Sequence, residues 1–185
     1  MTRFNTFTDY LRLDLLQIYC KEHGDLVSYS KGDSIVDEGS VCRHLGIVTS
    51  GYFKFVTINS RGEERVTGFA FPGEVATDFV SSFQFNTPAL TSIIAGCDST
   101  AMIVPISLVK EYMAVHDSDF ISHSTSVLLR EGYIRYLTLY RKTAAERYAE
   151  LLDRIGRDID KISLKELASY LNVSRRQFHR IRDNF

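Results

Sequence analysis

At 185 residues, with 44% hydrophobic and 24% charged side chains, the chain has the size and balance of an ordinary globular protein with one large domain or two small ones. A formal net charge of −1 gives it no overall polarity. No apolar run follows a basic start, and no stretch nears the eighteen apolar residues of a membrane span. Secretion and a membrane partner are therefore not expected, and a cytoplasmic location is. Cys20, Cys42 and Cys97 are odd in number and form no C-x-x-C. They fit buried thiols in a reducing compartment better than a disulfide frame or a metal site, with a redox-sensing thiol as the alternative.

In chain order, residues 7–22 show helical spacing through Tyr10, Leu11, Leu15, Ile18 and Tyr19. From Asp25 to Pro105 the pattern becomes short apolar or alternating runs: 26–29, 34–36, 45–48, 52–56, 65–71, 92–95 and 101–104. Glycine turns separate them at Gly32, Gly39, Gly51, Gly62 and Gly73. Seven or eight short strands so punctuated predict an antiparallel roll or barrel, with a short helix over Ala76–Gln84. A helix is expected over 106–114, a break at 116–119, and a long helix from Phe120 to Tyr140. Leu129, Tyr133, Tyr136 and Tyr140 form one stripe of that helix, and Val127, Ile134 and Leu137 lie beside it. A helix apolar on two sides needs two partners, here the roll and a second copy of the chain. Thr143–Glu146 is a capping box opening a helix to about Ile155, followed by a charged connector over 154–160.

The most informative stretch is 162–185. Ser163 with Glu166, and Ser174 with Gln177, are two capping boxes eleven residues apart, each with a hydrophobic staple, Ile162 with Leu167 and Val173 with Phe178. They predict helices over 164–171 and 175–183 joined by a tight turn in which Asn172 tolerates left-handed backbone. Leu164, Leu167, Ala168 and Leu171 share the inner face of the first. Phe178 and Ile181 anchor the second, leaving Arg175, Arg176, His179, Arg180 and Arg182 free. This is a helix-turn-helix with an arginine-rich second helix. Residues 141–185 hold 11 Lys and Arg against 7 Asp and Glu, while residues 1–140 hold 11 against 16. The positive charge is collected at the end that would meet DNA.

The words K-G-D (31–33), D-E-G-S (37–40), I-V-T-S-G-Y-F-K (47–54), R-G-E-E (61–64), P-G-E (72–74), T-A-A-E-R (143–147) and L-A-S-Y-L-N-V-S-R-R (167–176) follow one another in this order. Together they make the chain resemble the CRP/FNR family of bacterial transcription regulators. The resemblance implies an α+β fold: a jelly-roll-like antiparallel β-roll sensor domain over 1–116, a long dimerisation helix over 117–141, and a helix-turn-helix DNA-binding domain over 142–185. It implies a homodimer on double-stranded DNA, with RNA polymerase as a further partner. Ser163, Ser174, Arg175, Arg176, Gln177, His179, Arg180 and Arg182 are the expected DNA-binding residues. Arg176 stands where the family commonly has Glu, so its base preference should differ. With Phe185 directly after the arginine-rich helix, the family's β-wing is not expected.

The nucleotide pocket of the family is not matched. Aligning Ala95 puts Ala89 where the phosphate-holding Arg belongs. Between Val66 and Leu129 the only basic side chain besides histidine is Lys110, and a buried phosphate would lack a cation. The adenine-contacting hydroxyl pair falls at Gly132 and Tyr133. Glu74 remains a weak ligand candidate whose simpler role is a turn carboxylate. A cyclic nucleotide is therefore not expected, and any effector should be small and uncharged. Neither an iron–sulfur cluster nor a metal-dependent cupin site has enough ligands, since three cysteines are too few and His44, His116 and His123 are scattered. No cofactor and no enzyme activity are expected. The alternative to a DNA-binding regulator is a ligand-binding or protein-interaction roll whose helix-turn-helix no longer reads DNA.

Overall fold

The computed structural model describes residues 4–185. Eight strands form the roll: β1 (Asp25–Tyr29), β2 (Ser34–Val36), β3 (His44–Ser50), β4 (Phe53–Ile58), β5 (Glu64–Ala70), β6 (Val75–Ala76), β7 (Ser92–Ala95) and β8 (Ser99–Pro105). They pair antiparallel in two four-stranded sheets, β1-β8-β3-β6 and β2-β7-β4-β5. Leu45, Val48, Phe53, Ile93 and Val104 meet in one core, which α1 (Leu13–His23) and α2 (Ile106–His116) close. Then come α3 (Phe120–Arg141), α4 (Ala144–Ile155), α5 (Leu164–Tyr170) and α6 (Arg175–Arg182). The α+β roll followed by a helix-turn-helix is the fold class expected from the sequence.

Three local expectations are corrected. The first helix is not continuous over 7–22. A 3-10 turn spans Thr6–Tyr10, Leu11 is extended, and α1 starts at Leu13. The Thr8 hydroxyl closes the turn on the Asn5 carbonyl at 2.6 Å, a local bond that competes with helix propagation. The predicted helix over 76–84 is shorter and later. Ala76 pairs with Gly46 as part of β6, and the Asp78 carboxylate, accepting from the N–H groups of Ser81 and Ser82, starts a π-turn at Phe79–Phe83. The charged connector is a 3-10 turn, Gly156–Lys161, entered through Gly156 at φ 57°.

A second core binds the helix-turn-helix to the roll. The period of two along β4 sends Phe53 into the first core and Tyr52 and Val56 to the other side. On β5 the pairing shifts from Gly68 opposite Phe55 to Val66 opposite Val56, making Thr67 an extra residue. That bulge lets Val66 and Phe69, three apart, both reach the second core. There they meet Tyr148, Leu151, Leu167, Ala168, Leu171 and Phe178. Tyr52 stacks on Phe71 with ring centroids 5.7 Å apart, and Phe4 packs edge-on to Phe69, Phe71 and Tyr170.

Gly96 makes room for this cluster, because a β-carbon there would lie 2.0 Å from the Tyr52 ring. Gly96→Ala should therefore push Tyr52 out of place and destabilise the chain by about 1–3 kcal/mol, as overpacking generally does. Urea unfolding checks it. An unchanged midpoint would mean that Tyr52 is not held where the second core needs it.

Candidate nucleic-acid interface

The helix-turn-helix is built by its caps. The Ser163 hydroxyl accepts from the Glu166 N–H, and the Glu166 carboxylate accepts from the Ser163 N–H at 3.0 Å. Ser174 and Gln177 repeat the reciprocal pair, with the Ser174 N–H donating to Gln177 Oε1 at 2.9 Å. Between the helices Asn172 stands at φ 55° and donates to the Ser169 carbonyl. Arg147, of the T-A-A-E-R word, reaches from α4 and donates to the Leu171 carbonyl at 2.8 Å. This clamps the turn.

On α6 the burial is one-sided. Phe178 is fully enclosed and packs edge-on to Tyr148 at 5.1 Å, and Ile181 is partly covered. Ser174, Arg175, Arg176, Gln177, His179, Arg180 and Arg182 are all exposed and share this one short segment. Among the described residues only Arg182 has a carboxylate within bridging distance, Asp183 at 3.9 Å. Ser163 is also exposed, but it sits at the start of α5 rather than on this helix. The surface is therefore a basic, donor-rich strip whose one carbonyl acceptor, on Gln177, is taken up by the cap.

Sequence reading missed a junction behind this surface. Glu166 is not only a capping residue. It is buried, accepts the Tyr52 hydroxyl at 3.1 Å, and pairs with Lys54 Nζ at 3.0 Å. Burial raises its pKa, but the Ser163 hydroxyl and the Lys54 ammonium outweigh that and hold it below the usual 4.5. The same carboxylate keeps the Tyr52 phenol well above its ordinary range, with burial as the larger cause. Nearby, the Val66 N–H donates to Ser169 Oγ at 2.9 Å, and Arg135 Nη2 donates to the Thr67 carbonyl and to the Tyr170 hydroxyl, each at 2.9 Å. The available signal was Lys54, a lone charge between two phenylalanines on a strand.

Glu74, the weak ligand candidate, does something else. It is buried and accepts the Asn5 N–H at 2.7 Å, the Asn5 side-chain amide at 2.8 Å and the Phe71 N–H at 2.9 Å, so it fastens the N-terminal arm to the roll. Beside it, between roll and α3, lies a cavity of about 360 Å³. Ala89 is buried, bonded through its backbone to Gly39 and Ser40. Lys110 lies over the Phe83 ring at 5.5 Å, and Gly132 and Tyr133 are exposed. The guanidinium at the cavity is Arg135, which lies beyond the Val66 to Leu129 stretch. The Cys20 thiol is buried and its pKa pushed up to about 12 by that burial, which makes it unreactive. Among the described residues there is no cluster fit to hold a metal ion and no helix long and apolar enough to cross a membrane.

Residues 26–116 match the family described as Cyclic nucleotide-binding domain. Among solved structures, FixK2 from Bradyrhizobium japonicum superposes with a TM-score of 0.73 at 21% identity, over 87% of this chain and 83% of that one. The c-di-GMP responsive global regulator CLP of Xanthomonas campestris gives 0.66 at 14%, over 92% and 89%. The catabolite activator protein of Thermus thermophilus gives 0.56 at 19%, over 96% and 85%. The chain has the CRP/FNR fold, with a cyclic-nucleotide-binding-type domain as its roll. No curated protein sequence matches it significantly.

Within this CRP/FNR fold, the Glu166 junction has a testable pH signature. A carboxylate whose folded pKa lies below 4.5 adds stability that is present above that pH and lost as the pH falls through the folded value. Glu166→Gln keeps a capping-box partner but removes the charge facing Lys54. It should cost about 1–3 kcal/mol at pH 7, and the deficit should shrink as the pH falls below 4.5 and through the lower folded value. Thermal unfolding of both proteins from pH 3 to 7 measures this. A deficit that does not vary with pH would show that Lys54 gains nothing from the charge.

Proposed function

We propose that this chain is a homodimeric DNA-binding transcription regulator and not an enzyme, and that α6 reads a two-fold DNA site. The observation that carries this is the one-sided helix: capped at Ser174, anchored through Phe178, with every basic side chain exposed. In this reading Arg175 and Arg180 pair bidentately with guanine, Ser174 touches a phosphate, and Arg176, having only donors, meets a guanine or a phosphate, and the exposure of all four side chains supports it. Dimerisation is supported by α3, where Leu129, Tyr133, Tyr136 and Tyr140 lie more than half exposed on one stripe. An apolar stripe of that length is a contact waiting for a like helix.

A regulator of this kind should bind DNA with affinity that falls steeply with salt, through counterion release, on half-sites whose centres lie ~34 Å apart. Arg175→Ala should cost ~1–3 kcal/mol and relax preference at one base pair. Fluorescence anisotropy on genome-selected sites, at two salt concentrations, checks both. Salt-insensitive binding, or a monomer satisfied by a single half-site, would overturn the reading. If Arg175→Ala and Arg176→Glu both leave binding intact, α6 is not the reader.

The effector of the regulator we propose is not a cyclic nucleotide. Around the cavity the carboxylates of Glu74 and Asp78 are buried, and one half-buried guanidinium, Arg135, stands at its edge. That balance disfavours a phosphate, and more so the two of c-di-GMP, to which CLP responds. Calorimetry with millimolar cyclic AMP and cyclic GMP should show no heat of binding; a micromolar dissociation constant for either would refute this.

A further inference from the structure

We propose that the cavity between the roll and α3 binds a neutral, elongated, largely apolar molecule with carbonyl-type hydrogen-bond acceptors, one facing Ser124 and another facing Arg135. It deepens the regulator reading by naming the effector class, and it can be tested without DNA.

Ser124 is the decisive residue. It is 2% exposed, and its hydroxyl is the one buried side-chain polar atom among the described residues with no hydrogen-bond partner. Its neighbours on α3 behave differently. Ser122, Thr125 and Ser126 each donate back to a carbonyl of the preceding turn, at 3.0, 2.6 and 3.0 Å. A helical serine can satisfy itself this way, and Ser124 does not. It lines the cavity instead, an unpaired donor enclosed in an apolar wall.

The walls are Leu16, Leu45, Phe55, Phe79, Phe120 and Leu128. They favour a hydrocarbon body, and about 360 Å³ is near the small end of ligand pockets. The polar groups in the wall are mostly spent. Thr8, Thr67 and Thr77 donate to backbone carbonyls, and Asp78 accepts the N–H groups of Ser81, Ser82 and Leu90. The exceptions besides Ser124 are the hydroxyl of the partly buried Thr91 and the guanidinium of Arg135. Arg135 Nη2 is committed to Thr67 and Tyr170, but no carboxylate among the described residues pairs with Arg135, and its other N–H groups remain available.

Ser124, Leu128 and Arg135 fall at steps of four and seven, one face of a helix. Eleven residues rise ~16 Å, and the long arginine side chain leans back toward the N-terminus, shortening the span to roughly 10 Å. The two donors thus sit at the ends of an elongated apolar slot. An anionic guest is disfavoured by Asp78 in the wall and Glu74 behind it. Acceptors without charge, as in ketones, esters or amides, fit both donors. Because Arg135 also holds Tyr170 of α5, the far acceptor meets the side chain that ties the roll to the helix-turn-helix.

Dimethyl suberate, with two ester carbonyls separated by a hydrocarbon chain, is the probe, and the suberate dianion is its charged control. Calorimetry on the full chain should give a dissociation constant for the diester below about 1 mM, within reach of a ligand this small. Ser124→Ala should weaken it about fivefold or more without lowering the melting temperature, since it deletes an unpaired hydroxyl. Arg135→Met should weaken it likewise, and Leu128→Trp, which fills the slot, should abolish it. Thermal unfolding of each variant verifies its fold; if Leu128→Trp does not fold, Ser124→Ala alone decides. No binding of the diester, unchanged affinity in Ser124→Ala, or tighter binding of the dianion would each overturn the proposal. A chain that binds the diester but no DNA would overturn the regulator reading and leave this one standing.

Discussion

The position of the helix-turn-helix depends on one buried carboxylate. Glu166 caps α5 through Ser163, pairs with Lys54 and accepts the Tyr52 hydroxyl. An isolated buried charge would be untenable, and removing any one partner leaves its desolvation uncompensated. The three contacts therefore hold together or fail together. Two of the partners belong to the roll and one to the helix-turn-helix, so the charge that starts α5 also fixes where α5 lies. The aromatic cluster of Tyr52, Phe69, Phe71, Phe4 and Tyr170 supplies the burial around it. The bulge at Thr67 and the missing side chain at Gly96 are what let that cluster close.

From that fixed α5, α6 needs little to stand in place. An isolated eight-residue helix is unstable in water, and most such helices compensate with a broad apolar face. Here the cap at Ser174, the staple from Val173 and one enclosed side chain, Phe178, suffice. A single deep anchor leaves the remaining positions free of packing duty. That is why five exposed basic side chains, counting His179, can occupy so short a helix without a run of compensating acids. The same economy explains Arg147, whose guanidinium satisfies the turn carbonyl at Leu171 and relieves α6 of that task.

Much of this was legible in the sequence, because the features involved are local. Capping boxes, staples, glycine turns and the period of two each act within a few residues, and they mark the strands, α3 and the helix-turn-helix at nearly their observed bounds. What escaped was non-local or ambiguous in kind. Glu166 reads as a cap, and nothing near it announces Lys54 and Tyr52, more than a hundred residues earlier. Glu74 reads as a turn residue, and its tie to Asn5 joins segments 69 residues apart. A bulge such as that at Thr67 is a property of pairing and leaves no mark in one strand. Arg135 lies past the roll in sequence and returns to it only because α3 folds back across the cavity. Ser124 reads as an ordinary surface serine until its burial and empty hydrogen-bond count are known.

α3 joins these parts through its geometry. Phe120, Ser124, Leu128 and Arg135 face the cavity, while Leu129, Tyr133, Tyr136 and Tyr140 face outward. At about 100° per residue, the five positions from Ser124 to Leu129 place the two stripes roughly 140° apart. One rigid helix thus presents one side to the cavity and the other to the proposed partner chain, and its Arg135 reaches Tyr170 on α5 besides. A guest that moves the inner stripe cannot do so without moving the outer one, because a helix transmits displacement as a body. In the proposed dimer, occupancy of the cavity and the spacing of the two α6 helices are then two readings of a single coordinate, the position of α3. For a guest to act through that coordinate it must bind one position of α3 better than another, and in the proposed complex the donors on Ser124 and Arg135, both carried by α3, would make that difference.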